Sequence, residues 1–318
     1  MRISNKVLKA GVLPILLAGL LCPGAARAVE SPRCTGGLQL QLSAPLASQG
    51  SLLVAEVRSA KNISEITGSW MDRGLYFWKA NAAVVQRRGA AHGAAIEEAL
   101  VGVDLEKVPG AYPLTVAVTM ENGDHATCSA TLSIRAGKFA TESLKVEKQF
   151  VEPDEKQAAR AVAEQQKLRG LFDHVTPEKL WRGDFQFPLK GVTKGTNFGK
   201  RRILNGQARS PHTGADFPAL TGTPVYATQN GHVVLAEELY FSGNTVIIDH
   251  GLGVYSLYGH LSAFDVAAGD DVKAGGLIGK VGATGRVTGP HLHWGVTVNK
   301  ARVNPVQLVA LFRVRRKQ

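Results

Sequence analysis

Long apolar runs are scarce in this 318-residue chain. Past residue 28 nothing approaches the roughly 18 consecutive apolar residues of a membrane-spanning helix, so no transmembrane segment is expected. Cysteine is rare too, with Cys22, Cys34 and Cys128 the only three, and Cys34 and Cys128 do not sit in the Cys/His arrangement of a catalytic thiol. The glycines follow no fixed period, which excludes a collagen-like or low-complexity chain. With 44% hydrophobic and 20% charged residues, disorder is excluded as the main state. The helical zinc signature His-Glu-x-x-His is absent as well. Acid is the minority charge: 37 Lys and Arg stand against 26 Asp and Glu, a formal +11.

Residues 1–28 account for +4 of that charge through Arg2, Lys6, Lys9 and Arg27. A basic start, an apolar stretch from Ala10 to Leu21 and the small-x-small site Ala26-Arg27-Ala28 predict a secretory signal cleaved near Ala28. Leu21 stands before Cys22 where a lipid-attachment box wants a small residue, which counts against a lipoprotein. Cleavage leaves +7, a moderate charge suited to acidic wall polymers or anionic headgroups, and export argues against nucleic acid as the partner. In an exported chain the remaining Cys34 and Cys128 are expected to form a disulfide.

At about 150 residues per domain the length suggests two domains. Residues 29–136 carry period-two alternation at 38–42, 114–118 and 130–134 with a turn at Glu121-Asn122-Gly123-Asp124, which predicts an immunoglobulin-like β-sandwich. His92 and His125 are isolated there and carry no chemistry. Residues 137–182 read as a linker with a helix: Pro153, Asp154 and Glu155 form a start signal, and Ala158, Val162, Leu168 and Phe172 share a face before Pro177. Residues 183–318 hold twenty of the 35 glycines. These punctuate short β runs at 231–235, 244–248, 254–258 and 292–296, so the chain is expected to be all-β outside the linker.

Six of the nine histidines fall between 212 and 293: His212, His232, His250, His260, His291 and His293. Neutral imidazole is both a metal ligand and a proton carrier near neutrality. In His212-Thr213-Gly214-Ala215-Asp216 an imidazole and a carboxylate flank a glycine. In His291-Leu292-His293 a strand points both imidazoles to one face. His260 is placed on the strand face of Tyr258 and Ser256. Two His and one Asp would leave one position of a tetrahedral zinc open for water, and the His-x-x-x-Asp spacing favours zinc over an Fe(II) facial triad. His232 and His250 read as structural or ligand-orienting residues, and Trp294 as a packing residue.

From about Phe198 to Asn304 the chain resembles the lysostaphin/LytM-type zinc endopeptidases, which cleave peptide bridges in bacterial peptidoglycan. The matching stretches include Phe198-Gly199-Lys200-Arg201, His212-Thr213-Gly214-Ala215-Asp216, Gly222-Thr223-Pro224-Val225, Tyr258-Gly259-His260-Leu261 and Thr288-Gly289-Pro290-His291-Leu292-His293. The resemblance implies one Zn2+ held by His212, Asp216 and His293, with His260 and His291 as catalytic histidines. It also implies an antiparallel β groove with the metal on its floor.

A hydrolytic site needs a base for water and a donor for the oxyanion. Without a glutamate in a protease motif, the two nonligand histidines are the natural candidates. Arg286 is a candidate for a substrate carboxylate and Tyr258 for the oxyanion or substrate. The expectation is therefore a periplasmic or secreted zinc endopeptidase acting on peptidoglycan peptides, with the D-Ala–meso-diaminopimelate cross-link as the bond. The rivals are a noncatalytic or autoinhibited regulator of wall hydrolases, working through a protein partner, and a general secreted metalloprotease.

Overall fold

The fold is given by a computed structural model, which describes residues 31–44, 46–80 and 95–317. The secretory segment 1–28 and His92 lie outside the described residues. Strands dominate, and two α-helices are present among the described residues, Glu155–Asp173 and Pro305–Lys317.

Two sheets in the N-terminal part bury a common core. One orders the strands Arg33–Cys34, His125–Arg135, Gly110–Met120, Ile63–Trp70 and Arg73–Gly74, with Leu46–Ser48 added in parallel to His125–Arg135. The other orders Gln39–Leu42, Leu52–Ser59, Ala95–Gly102 and Phe77–Lys79. Strict alternation places Leu114, Val116, Val118 and Met120 in the core, each contributing about 1.5–3 kcal/mol by burial. Cys34 and Cys128 face each other across an antiparallel pair and are bonded. The link closes a separation of 94 residues and so removes freedom chiefly from the unfolded chain.

The second sheet is covered on both faces. Leu53, Ala55, Val57, Ala99 and Val101 point into the core just described, whereas Leu52, Val54 and Leu100 join the core of the C-terminal part. Polar contacts strengthen that junction. Arg302 grips Asp104 through Nη2–Oδ1 at 2.6 Å and Nε–Oδ2 at 3.0 Å, and Trp78 and Trp181 meet edge to face at 5.3 Å.

Residues 137–182 do more than link. Thr141–Leu144 pairs in parallel with Arg201–Leu204, which pairs with Gln207–Arg209. The helix begins two residues later than Pro153 at its first position would place it. Asp154 is its N-cap, accepting from the Gln157 N–H, while the Gln157 side chain accepts from the Asp154 N–H. Leu168, Leu171 and Phe172 pack against Leu235, Leu239, Ile247 and Tyr255, but Val162 is 55% exposed. The inward position one turn before Leu168 belongs to Glu164, which accepts from the Tyr240 N–H at 2.7 Å.

The C-terminal part is built on a sheet ordered Gly214–Pro218, His291–Val298, Val254–Phe264, Gly243–Asp249, Gly231–Leu239 and Asp271–Val272. Val246, Ile248, Tyr258, Leu292, Trp294 and Val296 fill the core under it.

Candidate metal centre

Strand pairing assembles the centre. Gly214–Pro218 runs antiparallel to His291–Val298 with Asp216 opposite His293, and directly opposed residues project from the same face of a sheet. The neighbours Ala215, Leu292 and Trp294 are buried beneath. His212 precedes the first of these strands, anchored by its N–H to the Lys200 carbonyl and by its own carbonyl to the Gly199 N–H. The glycine between His212 and Asp216 is required by close approach. A Cβ at Gly214 would lie 2.6 Å from the Trp294 carbonyl oxygen and 2.7 Å from His293 Cε1 and Nε2.

Three atoms converge as a result. His212 Nε2 is 2.9 Å from His293 Nδ1 and 3.0 Å from Asp216 Oδ1, and His293 Nδ1 is 3.1 Å from the same oxygen. Ligands of a tetrahedral zinc at its usual bond lengths stand about 3.3 Å apart, so this donor set fits the ion in size and chemistry. Asp216 is 6% and His212 2% exposed. Burial lowers the His212 pKa to about 4, helped by His293 and opposed by Asp216, which keeps the imidazole neutral. For Asp216, burial alone would push the pKa up, but hydrogen bonds from His212 and His293 outweigh it and hold the carboxyl well below its usual range. Its second oxygen, Oδ2, accepts from Asn197 Nδ2 at 3.1 Å and lies 3.6 Å from Arg202 Nη2.

His260 and His291 stand beside this triangle, their rings 4.8 Å apart. Each Nδ1–H donates to a carbonyl, that of Thr284 for His260 and of Gly289 for His291, both at 2.8 Å. This sets the tautomer and leaves each Nε2 as an acceptor; that of His291 is 3.6 Å from Asp216 Oδ1. Burial, with His293 and His291 adding to it, lowers the His260 pKa to about 3.

His260 does not share a face with Tyr258 and Ser256. Thr245 opposes both Gly259 and His260, and His260 takes φ +63°, a bulge that turns its ring out of the alternation. Tyr258 is fully buried, its hydroxyl accepting from the Thr228 N–H at 2.9 Å, so the expectation that it meets substrate is corrected. His250 donates to the Asn230 carbonyl and is bonded to Ser256 inside the core, and His232 sits at the surface against Asp271. Arg286 lines the same cavity of about 680 Å3 as His212, His260 and His293, and Phe150, Val151 and Leu168 line it too. Asn197 and Arg202 went unread in the sequence; their one signal was proximity to the Phe198-Gly199 stretch.

Residues 210–305 match the sequence profile of peptidase family M23. The DD-carboxypeptidase/endopeptidase Mpg of Neisseria meningitidis is 48% identical over 97 residues, 30% of this chain and 22% of the relative. The peptidoglycan DD-endopeptidase ShyA of Vibrio cholerae is 42% identical over 140 residues, 43% of this chain and 33% of the relative. The chain thus spans a third or less of these curated relatives. A crystal structure from Pseudomonas aeruginosa assigned to peptidase M23 is 27% identical, with a TM-score of 0.56, and the match covers 83% of this chain and 95% of that one. Residues 210–305 are a domain of peptidase family M23, the metallopeptidases of the lysostaphin/LytM type.

Proposed function

We propose that this chain is an exported zinc endopeptidase that hydrolyses peptide cross-links of peptidoglycan, with the D-Ala–meso-diaminopimelate bond as its target. The observation that carries the reading is the triangle of His212, Asp216 and His293 with two histidine Nε2 atoms beside it. Zinc bound there supplies Lewis-acid activation of water and of the scissile carbonyl. His260 and His291 supply the proton chemistry: one Nε2 accepts a proton from the attacking water, and the other stabilises the oxyanion or protonates the leaving amine. Asn197 donates to Asp216 Oδ2 and Arg202 stands 3.6 Å from the same oxygen, which orients the metal-facing Oδ1. The names of the relatives ShyA and Mpg support the substrate class. Export is supported by the secretory pattern of residues 1–28 and by the Cys34–Cys128 bond.

The two packed sheets of residues 29–136 we read as an immunoglobulin-like sandwich, followed by the 137–182 segment and the 183–318 peptidase unit. A second reading, a regulator of other wall hydrolases, is favoured by one feature: Phe150, Val151 and Leu168, from the segment before the peptidase domain, line the groove.

Paired variants test the residue roles. His293→Ala is expected to lose both bound zinc and cleavage of cross-linked muropeptides. His291→Ala is expected to keep a full equivalent of zinc and lose cleavage. Zinc content by mass spectrometry and product analysis read the two effects separately, and activity retained in either variant would overturn the assignment.

A further inference from the structure

The cavity holds more positive charge than its own acids answer. Arg202, Arg209, Arg286 and Arg302 line it, and of the four Arg302 is paired with Asp104 and Glu106. Arg286 lies over the Phe241 ring, its guanidinium carbon 4.4 Å from the centroid, and has no ion-pair partner among the described residues. Arg209 donates to the Val151 carbonyl and to Gln207 Oε1, both uncharged. Arg202 reaches Asp216 only at 3.6 Å, and its buried Nε has no hydrogen-bond partner.

The nearby acids are engaged elsewhere. Glu164 is held by Arg160 and the Tyr240 N–H, both at 2.7 Å, and Glu142 by Lys200 at 3.0 Å. Burial first, then repulsion from Arg202 and Arg209, lowers the Arg286 pKa to about 10. Crowding three guanidinium groups into a half-buried cavity costs free energy unless an anion joins them. A guanidinium fork pairs a carboxylate through two parallel hydrogen bonds.

We infer that Arg286, backed by Arg202 and Arg209, binds a free carboxylate of the substrate adjacent to the scissile nitrogen. The inference rests on the peptidoglycan-endopeptidase reading above. In a D-Ala–meso-diaminopimelate cross-link the carbon attached to the scissile nitrogen also bears a carboxylate. A glycine bridge has no charge at that place, and amidation of diaminopimelate removes it. Selectivity for the free acid then follows from charge: a bound carboxamide offers Arg286 one neutral acceptor and leaves the arginine cluster uncompensated.

The test separates recognition from cleavage. Disaccharide-tetrapeptide monomers, identical except for a carboxylate or a carboxamide at the D-centre of diaminopimelate, are titrated into the zinc-loaded full chain by calorimetry. The free acid is expected to bind roughly tenfold to hundredfold more tightly, and Arg286→Gln to bring the two ligands within about twofold while zinc content stays unchanged and the melting temperature does not fall. Arg209→Gln, farther from substrate by this reading, is expected to narrow the difference less and serves if Arg286→Gln does not fold. Equal affinity of the wild-type chain for both monomers would overturn the inference. Cross-linked dimers of the acid form, incubated in parallel, report the endopeptidase reading independently, because a chain that binds selectively and cuts nothing fails only there.

Discussion

At the residue scale, the centre depends on what Gly214 leaves out. Alanine there would drive a methyl group against the His293 ring and the Trp294 carbonyl, both carried by a largely buried strand. Gly214→Ala is expected to lower zinc affinity and to cost about 1–3 kcal/mol of stability, as overpacking usually does. Chelator competition and thermal melts check the two, and unchanged zinc affinity would show that His293 can move aside. The ligand residues were legible because their spacing sits in a short motif and a strand of period two. Asn197 and Arg202 were not, because each meets Asp216 through chain folding from about 15 to 20 residues away, a contact that no local spacing encodes. His260 was assigned to the wrong face for a different reason. Alternation presumes an unbroken ladder, and the bulge at Gly259 and His260 breaks it.

At the element scale, the Glu155–Asp173 helix shows how periodicity and caps divide the work. Its capping box joins Asp154 and Gln157, and Asp154→Ala is expected to lower stability by about 1 kcal/mol, measured by denaturant midpoint at unchanged slope. A loss indistinguishable from zero would mean that packing of Leu168, Leu171 and Phe172 alone holds the helix. The apolar face was drawn one residue too wide, since Val162 faces solvent. Glu164 takes the inward turn because the Tyr240 N–H and Arg160 satisfy it there. The strand Thr141–Leu144 was missed within the supposed linker. It is short, alternates only between half-buried and exposed positions, and gains its partner from Arg201–Leu204, about 60 residues on.

At the scale of the whole molecule, the N-terminal sheets and the peptidase share a core. Leu52–Ser59 and Ala95–Gly102 are buried almost throughout, so they carry no alternation to read. The Asp104–Arg302 pair locks the junction. Burial pushes the Asp104 pKa up, but the hydrogen bonds and charge of Arg302 prevail and hold it below the ordinary value. A carboxyl so depressed contributes stability that is present above the unfolded-state value near 3.9 and is lost as pH falls through the lower folded-state value. Asp104→Asn is expected to cost about 1–3 kcal/mol at pH 7, and the gap to wild type should close in melts taken from pH 5 down to pH 2. A gap constant across that range would show that the charge of Asp104 is not what secures the junction.

The most direct measurement of the central claim incubates the purified chain, zinc-loaded or chelator-stripped, with cross-linked muropeptide dimers and follows products by mass spectrometry. Conversion of dimers to monomers by the loaded chain alone, with the new amine on diaminopimelate, is the expected result. Dimers left intact at one full equivalent of bound zinc, or cut equally well by the stripped chain, would contradict it.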